Sequence, residues 1–250
     1  MNNPVVIFLL GASLASAQTA LEVMQEVQKR SESNSQHYEG TLKVIDAKSK
    51  VTEKRWIYDR MGAHGQSKAV LKFTAPPEVK GVALLILNHP DRASDQWMWT
   101  PAINRERRIA LQDRSTRFFG TDFSFEDLEE RDVDQYDYKM LASEPIEGAP
   151  CWKLQSTPKR DKSSQYTHSY VWVRKDNYVI ARVEGYKNDK LIRSISYSDI
   201  ANVQNFWTAR KLEVLDAGRN SKTVLVLEKL QYNVPMKDEE FTLQALRRQS

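Results

Sequence analysis

From His37 onward the apolar positions of this chain fall at every second residue, in short runs broken by Gly, Pro, Asn or Asp. The first half reads "HYEGTLKVIDA", "VTEKRWIYDR", "SKAVLKFTA", "KGVALLILNH" and "DQWMWTPA". The second half repeats the pattern with "YDYKMLASE", "APCWKLQSTP", "HSYVWVRKD", "YVIARVEGY", "KLIRSISYSDI", "FWTARKLEVLD" and "KTVLVLEKLQY". Period two marks strands, and short punctuated runs with no room for crossover helices predict about ten to twelve antiparallel strands in one meandering, curling sheet. Lys175-Asp176-Asn177 and Lys187-Asn188-Asp189 have the composition of hairpin turns.

Ahead of the strands stands "TALEVMQEVQKRSES", where Thr19 and Glu22 have capping-box spacing. Leu21, Met24 and Val27 are read as its buried stripe, which predicts a helix covering part of the sheet. The alternation within strands indicates which faces are covered. In "HSYVWVRKD" Tyr170 and Trp172 oppose Val171 and Val173, so both faces are apolar; in "KLIRSISYSDI" Arg193 shares a face with Leu191, Ile195 and Tyr197.

One long interruption separates the two runs of strands, "RERRIALQDRSTRFFGTDFSFEDLEE" from Arg105 to Glu130. Long ordered insertions tend to pack over a face and carry function. It holds Phe118, Phe119, Phe123 and Phe125 among the acids Asp122, Glu126, Asp127, Glu129 and Glu130, with Asp132 just beyond. Ser124 to Asp127 matches S-x-x-D, so the acids are read as the first turn of a helix whose dipole favours negative charge. A glycosidase-like acid pair, Asp122 with Asp127, is the rival reading. The four rings are expected to pack against Trp97 and Trp99 of the neighbouring strand, or to line a ligand groove.

Composition narrows the function classes. "PVVIFLLGASLA" followed by Ala15-Ser16-Ala17 reads as a signal peptide, residues 1–17, cleaved after Ala17, with 18–250 as a single domain. Gln18 follows the cleavage point, so no lipid-anchored cysteine is expected, and the single cysteine, Cys151, forms no intramolecular disulfide. An exported, disulfide-poor chain points to a bacterial periplasm. The net charge of +4, from 37 basic and 33 acidic residues spread along the sequence, does not suggest a nucleic-acid partner. His37, His64, His89 and His168 occur singly, and no G-x-S-x-G, G-x-G-x-x-G or phosphate-loop motif is present, so no metal, cofactor or catalytic residue is assigned.

"LKFTAPPEVKGVALLIL", "DQWMWTPAINRERRI" and "STRFFGTDFSFEDLEERD", in that order, resemble the motif run of the outer-membrane lipoprotein-sorting protein family, the LolA/LolB-like superfamily. The resemblance spans roughly Leu21 to Leu246. It implies a mainly β fold with an α cover: a strongly curved antiparallel sheet, an unclosed β-barrel, with helices over its concave face and an apolar cavity between. It also implies a non-enzymatic, monomeric periplasmic carrier of lipid or lipoprotein acyl chains, handing cargo to an outer-membrane acceptor. Leu84, Ile86, Trp97, Trp99, Phe118, Phe119, Phe123, Phe125 and Trp172 are the expected lipid-binding wall. Larger relatives accompany RND-type exporters, so an envelope sensor or adaptor that binds such a component is the alternative. The gating arginine of LolA maps to no single one of Arg105, Arg107, Arg108, Arg114 and Arg117.

Overall fold

The computed structural model describes residues 18–248; the expected signal peptide lies outside them. Helix α1, Ala20–Ser31, opens with the reciprocal Thr19–Glu22 capping box. Its buried stripe is Ala20, Val23 and Met24, with Val27 packed beside them. That is the i, i+3, i+4, i+7 row of a regular helix. Leu21, assigned to the stripe from sequence, is 43% exposed because it lies off that row.

The first half of the sheet contains β1 (Ser35–Ile45), β2 (Val51–Met61), β3 (Lys68–Ala75), β4 (Ala83–Leu87), β5 (Asp95–Thr100) and β6 (Arg105–Arg108). The second half contains β7 (Tyr136–Ile146), β8 (Ala149–Pro158), β9 (His168–Arg174), β10 (Ile180–Lys187), β11 (Lys190–Val203), β12 (Phe206–Asp216) and β13 (Ser221–Tyr232). They form one 13-stranded sheet in the order β6-β5-β4-β3-β2-β1-β13-β12-β11-β10-β9-β8-β7. Every pairing is antiparallel, and β1 joins the two meanders by pairing with β13. The sheet is strongly curved and does not close. Its free edges are β6 and β7, which are consecutive in sequence. The connection between them, residues 109–135, must therefore span the mouth of the open barrel.

Alternation assigns the faces. Leu84 and Ile86 of β4 join Leu71, Phe73, Trp56, Leu42 and Leu225 in the main core, on the inner face beneath the connection. Ala83 and Leu85 point the other way, to Trp99, Phe241 and Leu246. The short C-terminal helix α2, Leu243–Arg248, therefore covers the outer face, whereas α1 covers the inner one through Leu154, Val171 and Val173. Gly40 of β1 is required by packing: a Cβ there would lie 2.2 Å from Nε1 of Trp56 and 2.8 Å from Leu225, so the indole rests directly on the strand. At the β10–β11 hairpin, Asn188 takes the left-handed conformation (φ 54°) that the turn demands.

Candidate functional site

The connection from β6 to β7 is built differently from the helix its sequence suggests. Glu126–Leu128 make one 3-10 turn, although Ser124 and Asp127 do exchange capping-type hydrogen bonds: Asp127 N–H to the Ser124 hydroxyl and Ser124 N–H to the carboxylate. The acids are committed to partners distant in sequence. Fully buried Asp122 accepts from Arg117 (2.6 Å) and from the hydroxyls of Ser221 and Thr223 on β13 (2.6 and 2.8 Å). Asp127 accepts from Tyr166 (2.8 Å) and from Arg193 of β11 (2.7 Å). Glu126 holds Ser164 and the Gln165 N–H; Glu129 holds Arg114, Gln96 of β5 and Lys162. Glu130 is gripped by Arg60 of β2 (2.5 Å), the Gly65 N–H and Ser67.

A row of five carboxylates thus fastens the connection to β13, β11, β5, β2 and the 159–167 loop. Buried ion pairs of this kind position an element as much as they stabilise it, since desolvation offsets much of their attraction. Burial is the largest influence on Glu129 and pushes its carboxyl up, against the pull of Arg114 and Lys162. Asp122 and Asp127 are saturated by protein donors, which leaves neither carboxylate the free lone pairs and open face that an acid–base pair needs. Among the described residues no group of three or more His, Cys, Asp or Glu is placed to hold a metal ion.

The rings face inward as a packed layer. Phe118 stacks on Phe73 at 5.3 Å and meets Phe119 and Phe125 edge-on, and Phe123 lies 6.0 Å from Trp56. They pack with Leu84 and Ile86, as one core. Trp97 and Trp99 are elsewhere: the register Leu85↔Trp97 and Ala83↔Trp99 turns both indoles to the outer face, against α2. Trp172 also points outward, to Cys151 and Ala181, while its neighbours Val171 and Val173 point in. Of the nine residues marked from sequence, Ile86 alone lines any of the inner-face cavities described next.

Those cavities lie beside α1. The largest, about 400 Å³, is bounded by Val27 of the helix, Tyr38 and Tyr58 of β1 and β2, Ile180 of β10, Tyr197 of β11, Leu212 of β12, and Leu225 and Leu227 of β13. Its rim carries Arg30, Tyr178, Phe206 and Trp207. On the other side of α1 a second cavity of about 310 Å³ runs from Met24 and Val27 to Ile86 and Leu128, with Arg60, Glu130 and Arg131 at its polar side. A third, about 190 Å³, continues beneath the connection to Tyr166 and Arg193. Ile180 borders all three. Volumes of about 300–1,000 Å³ are those of small-molecule sites, and the two larger cavities fall at the lower end of that range.

The door of the main cavity is defined by α1. The Arg30 guanidinium lies 4.0 Å over the Tyr178 ring, and the Tyr178 hydroxyl donates to the Gln18 side chain ahead of the helix. Trp207 is 48% exposed on the rim. Inside, burial raises the phenols of Tyr58 and Tyr197 to about 12 and that of Tyr38 well above its ordinary value, so all three stay neutral. Sequence reasoning missed this site. Its one signal was the choice of tyrosine at inward positions of β1, β2 and β11, where neighbouring strands carry aliphatic residues.

The open antiparallel barrel, its inward apolar cavities and the helix at their door define a class of fold: an unclosed curved sheet with apolar space left between sheet and cover. A family model described as uncharacterized-protein-like matches residues 65–248, and the chain belongs to that family; its fold matches those of outer membrane lipoprotein-sorting and LolA superfamily proteins. It is similar to an outer membrane lipoprotein-sorting protein domain from Vibrio parahaemolyticus, 25% identical with a TM-score of 0.86 over 92% of this chain and 98% of that one. A DUF1329 family protein from Desulfovibrio piger is 27% identical, TM-score 0.85, over 91% of this chain and 97% of that one. A LolA superfamily protein from Nitrosomonas europaea, at 18% identity and TM-score 0.72 over 92% of this chain and 100% of that one, shares the fold. No curated protein matches the chain. Among the described residues no helix is long and apolar enough to cross a membrane.

Proposed function

We propose that this protein is a non-enzymatic periplasmic carrier that holds acyl chains of a lipid or lipoprotein in the cavities beside α1, in transit between the inner and outer membranes. The observation that carries this reading is the cavity of about 400 Å³, walled by Val27, Ile180, Leu212, Leu225 and Leu227 and closed by a helix rather than by strand pairing. Lipoprotein sorting in the name of the Vibrio relative supports it. Drawing a chain of about 16 carbons from a bilayer costs on the order of 12 kcal/mol, at roughly 0.8 kcal/mol per methylene. A carrier has to replace that burial with its own apolar wall.

In this reading the Phe118–Phe125 layer, with Leu84 and Ile86, is the packed floor that keeps the barrel open beside it. Trp97, Trp99 and Trp172 then brace the outer face. The test is uptake of a fluorescent fatty-acyl probe by the purified mature protein. Saturable uptake, competed by phospholipid, is expected; absence of binding at any probe concentration would sink the proposal.

A second reading, an adaptor for an RND-type exporter component, is favoured by Ile103 and Leu111, which are 67% and 47% exposed on either side of the edge strand β6. Its distinguishing result is affinity for an envelope protein that persists after Ala209→Trp fills the cavity.

A further inference from the structure

Resting on the carrier reading above, the geometry points to the chemical class of the cargo: we propose that the main cavity selects acyl chains joined through ester carbonyls. The hydroxyls of Tyr38, Tyr58 and Tyr197 would hydrogen-bond those oxygens. Tyr38 and Tyr58 are directly opposed in the β1–β2 ladder and stack at 4.9 Å. Tyr197 enters the same cavity from β11, across the Leu212–Leu225 row.

A cavity meant only for hydrocarbon would be lined by Leu, Ile, Val and Phe, because a phenol hydroxyl placed there loses water and gains nothing. Buried tyrosine hydroxyls almost always find a partner. Others near this cavity do: Tyr232 meets Thr208 at 2.6 Å, and Tyr178 meets Gln18 at 3.0 Å. Among the described residues no group hydrogen-bonds the hydroxyl of Tyr38, Tyr58 or Tyr197, and none of the three hydroxyls is among the fully enclosed unpartnered atoms, so each keeps accessible surface at the cavity these residues line. Tyr38 is only 9% exposed. Three neutral donors without protein acceptors, inside an apolar chamber, suit a guest with a few acceptor oxygens among many methylenes.

An ester carbonyl answers that description, and an ether oxygen is a poorer acceptor. Phospholipids and the diacylglyceryl group of a lipoprotein present the same carbonyls, so both sources are tested in parallel. The protein is incubated with vesicles of dipalmitoyl phosphatidylglycerol, of its dihexadecyl ether analogue, or of a dipalmitoyl-glyceryl lipopeptide, and the bound fraction is read by native mass spectrometry. Ester lipids should bind roughly tenfold more tightly than the ether, as expected for one or two net hydrogen bonds. Tyr38→Phe, Tyr58→Phe and Tyr197→Phe together should erase that preference, with a circular-dichroism spectrum and thermal melt matching the wild type showing that the variant is folded; a preference that persists in the folded variant overturns the role of these hydroxyls. Equal affinity for ester and ether in the wild-type protein overturns this inference and leaves the carrier intact. Failure to bind any of the three overturns the carrier reading and this one with it. Whichever ester source binds more tightly identifies the cargo.

Discussion

At the scale of single residues, the acids of the connection between β6 and β7 are structural. Asp122 is buried between Arg117 and two β13 hydroxyls. Removing one member of a buried charge pair strands the other, which typically costs about 3–5 kcal/mol. Asp122→Ala is therefore expected to lose about that much stability in urea unfolding, and a loss below about 1 kcal/mol would contradict the burial argument. Asp95 offers a pH test. A hydrogen bond from Arg92, helped by Arg108 and His89, holds its carboxyl far below the ordinary aspartate value. A depressed folded-state value stabilises the fold fully above the unfolded value of about 3.9 and stops doing so as pH falls through the folded one. Asp95→Asn should thus be less stable than wild type at neutral pH, with the gap closing in acid. A gap that stays constant across the titration would refute it.

At the scale of elements, the five carboxylate attachments make the connection a strap from one edge of the sheet to the other. Asp127→Asn weakens the hold on Arg193 and Tyr166, so amide hydrogen exchange should quicken in residues 117–130 and stay unchanged in β1 and β13. Uniform quickening would mean that the strap is no separate unit. Most strands and α1 were legible because period and capping are local, as was the face that Arg193 shares with Ile195 and Tyr197; β6, Arg105–Arg108, was not, having been read as the start of the interruption. Which face was inner was not legible. Trp97 and Trp99 were assigned to the rings, but that depends on the β4–β5 register and on α2 arriving from the far end of the chain. The single 3-10 turn was missed for a related reason. Glu126 to Glu130 look like a dipole-matched first turn, while their real partners, among them Arg60, Tyr166 and Arg193, lie tens of residues away.

At the scale of the whole molecule, the cavity exists because the sheet curls without closing and α1 fills only part of the gap. Its walls come from Val27, Tyr58, Ile180, Tyr197 and Leu225, spread over most of the chain, so no local stretch announces it. The motif resemblance carried the fold and the idea of a cavity, and led the eye to the Phe-rich segment, which is packed floor. The central claim is that this cavity holds acyl chains. Native mass spectrometry of the mature protein, purified from an envelope fraction without detergent and compared with Ala209→Trp, tests it most directly. A lipid-sized mass on the wild-type protein, missing from the equally stable variant, is the predicted result. An unadorned mass for both proteins, unchanged after incubation with lipid vesicles, would contradict it.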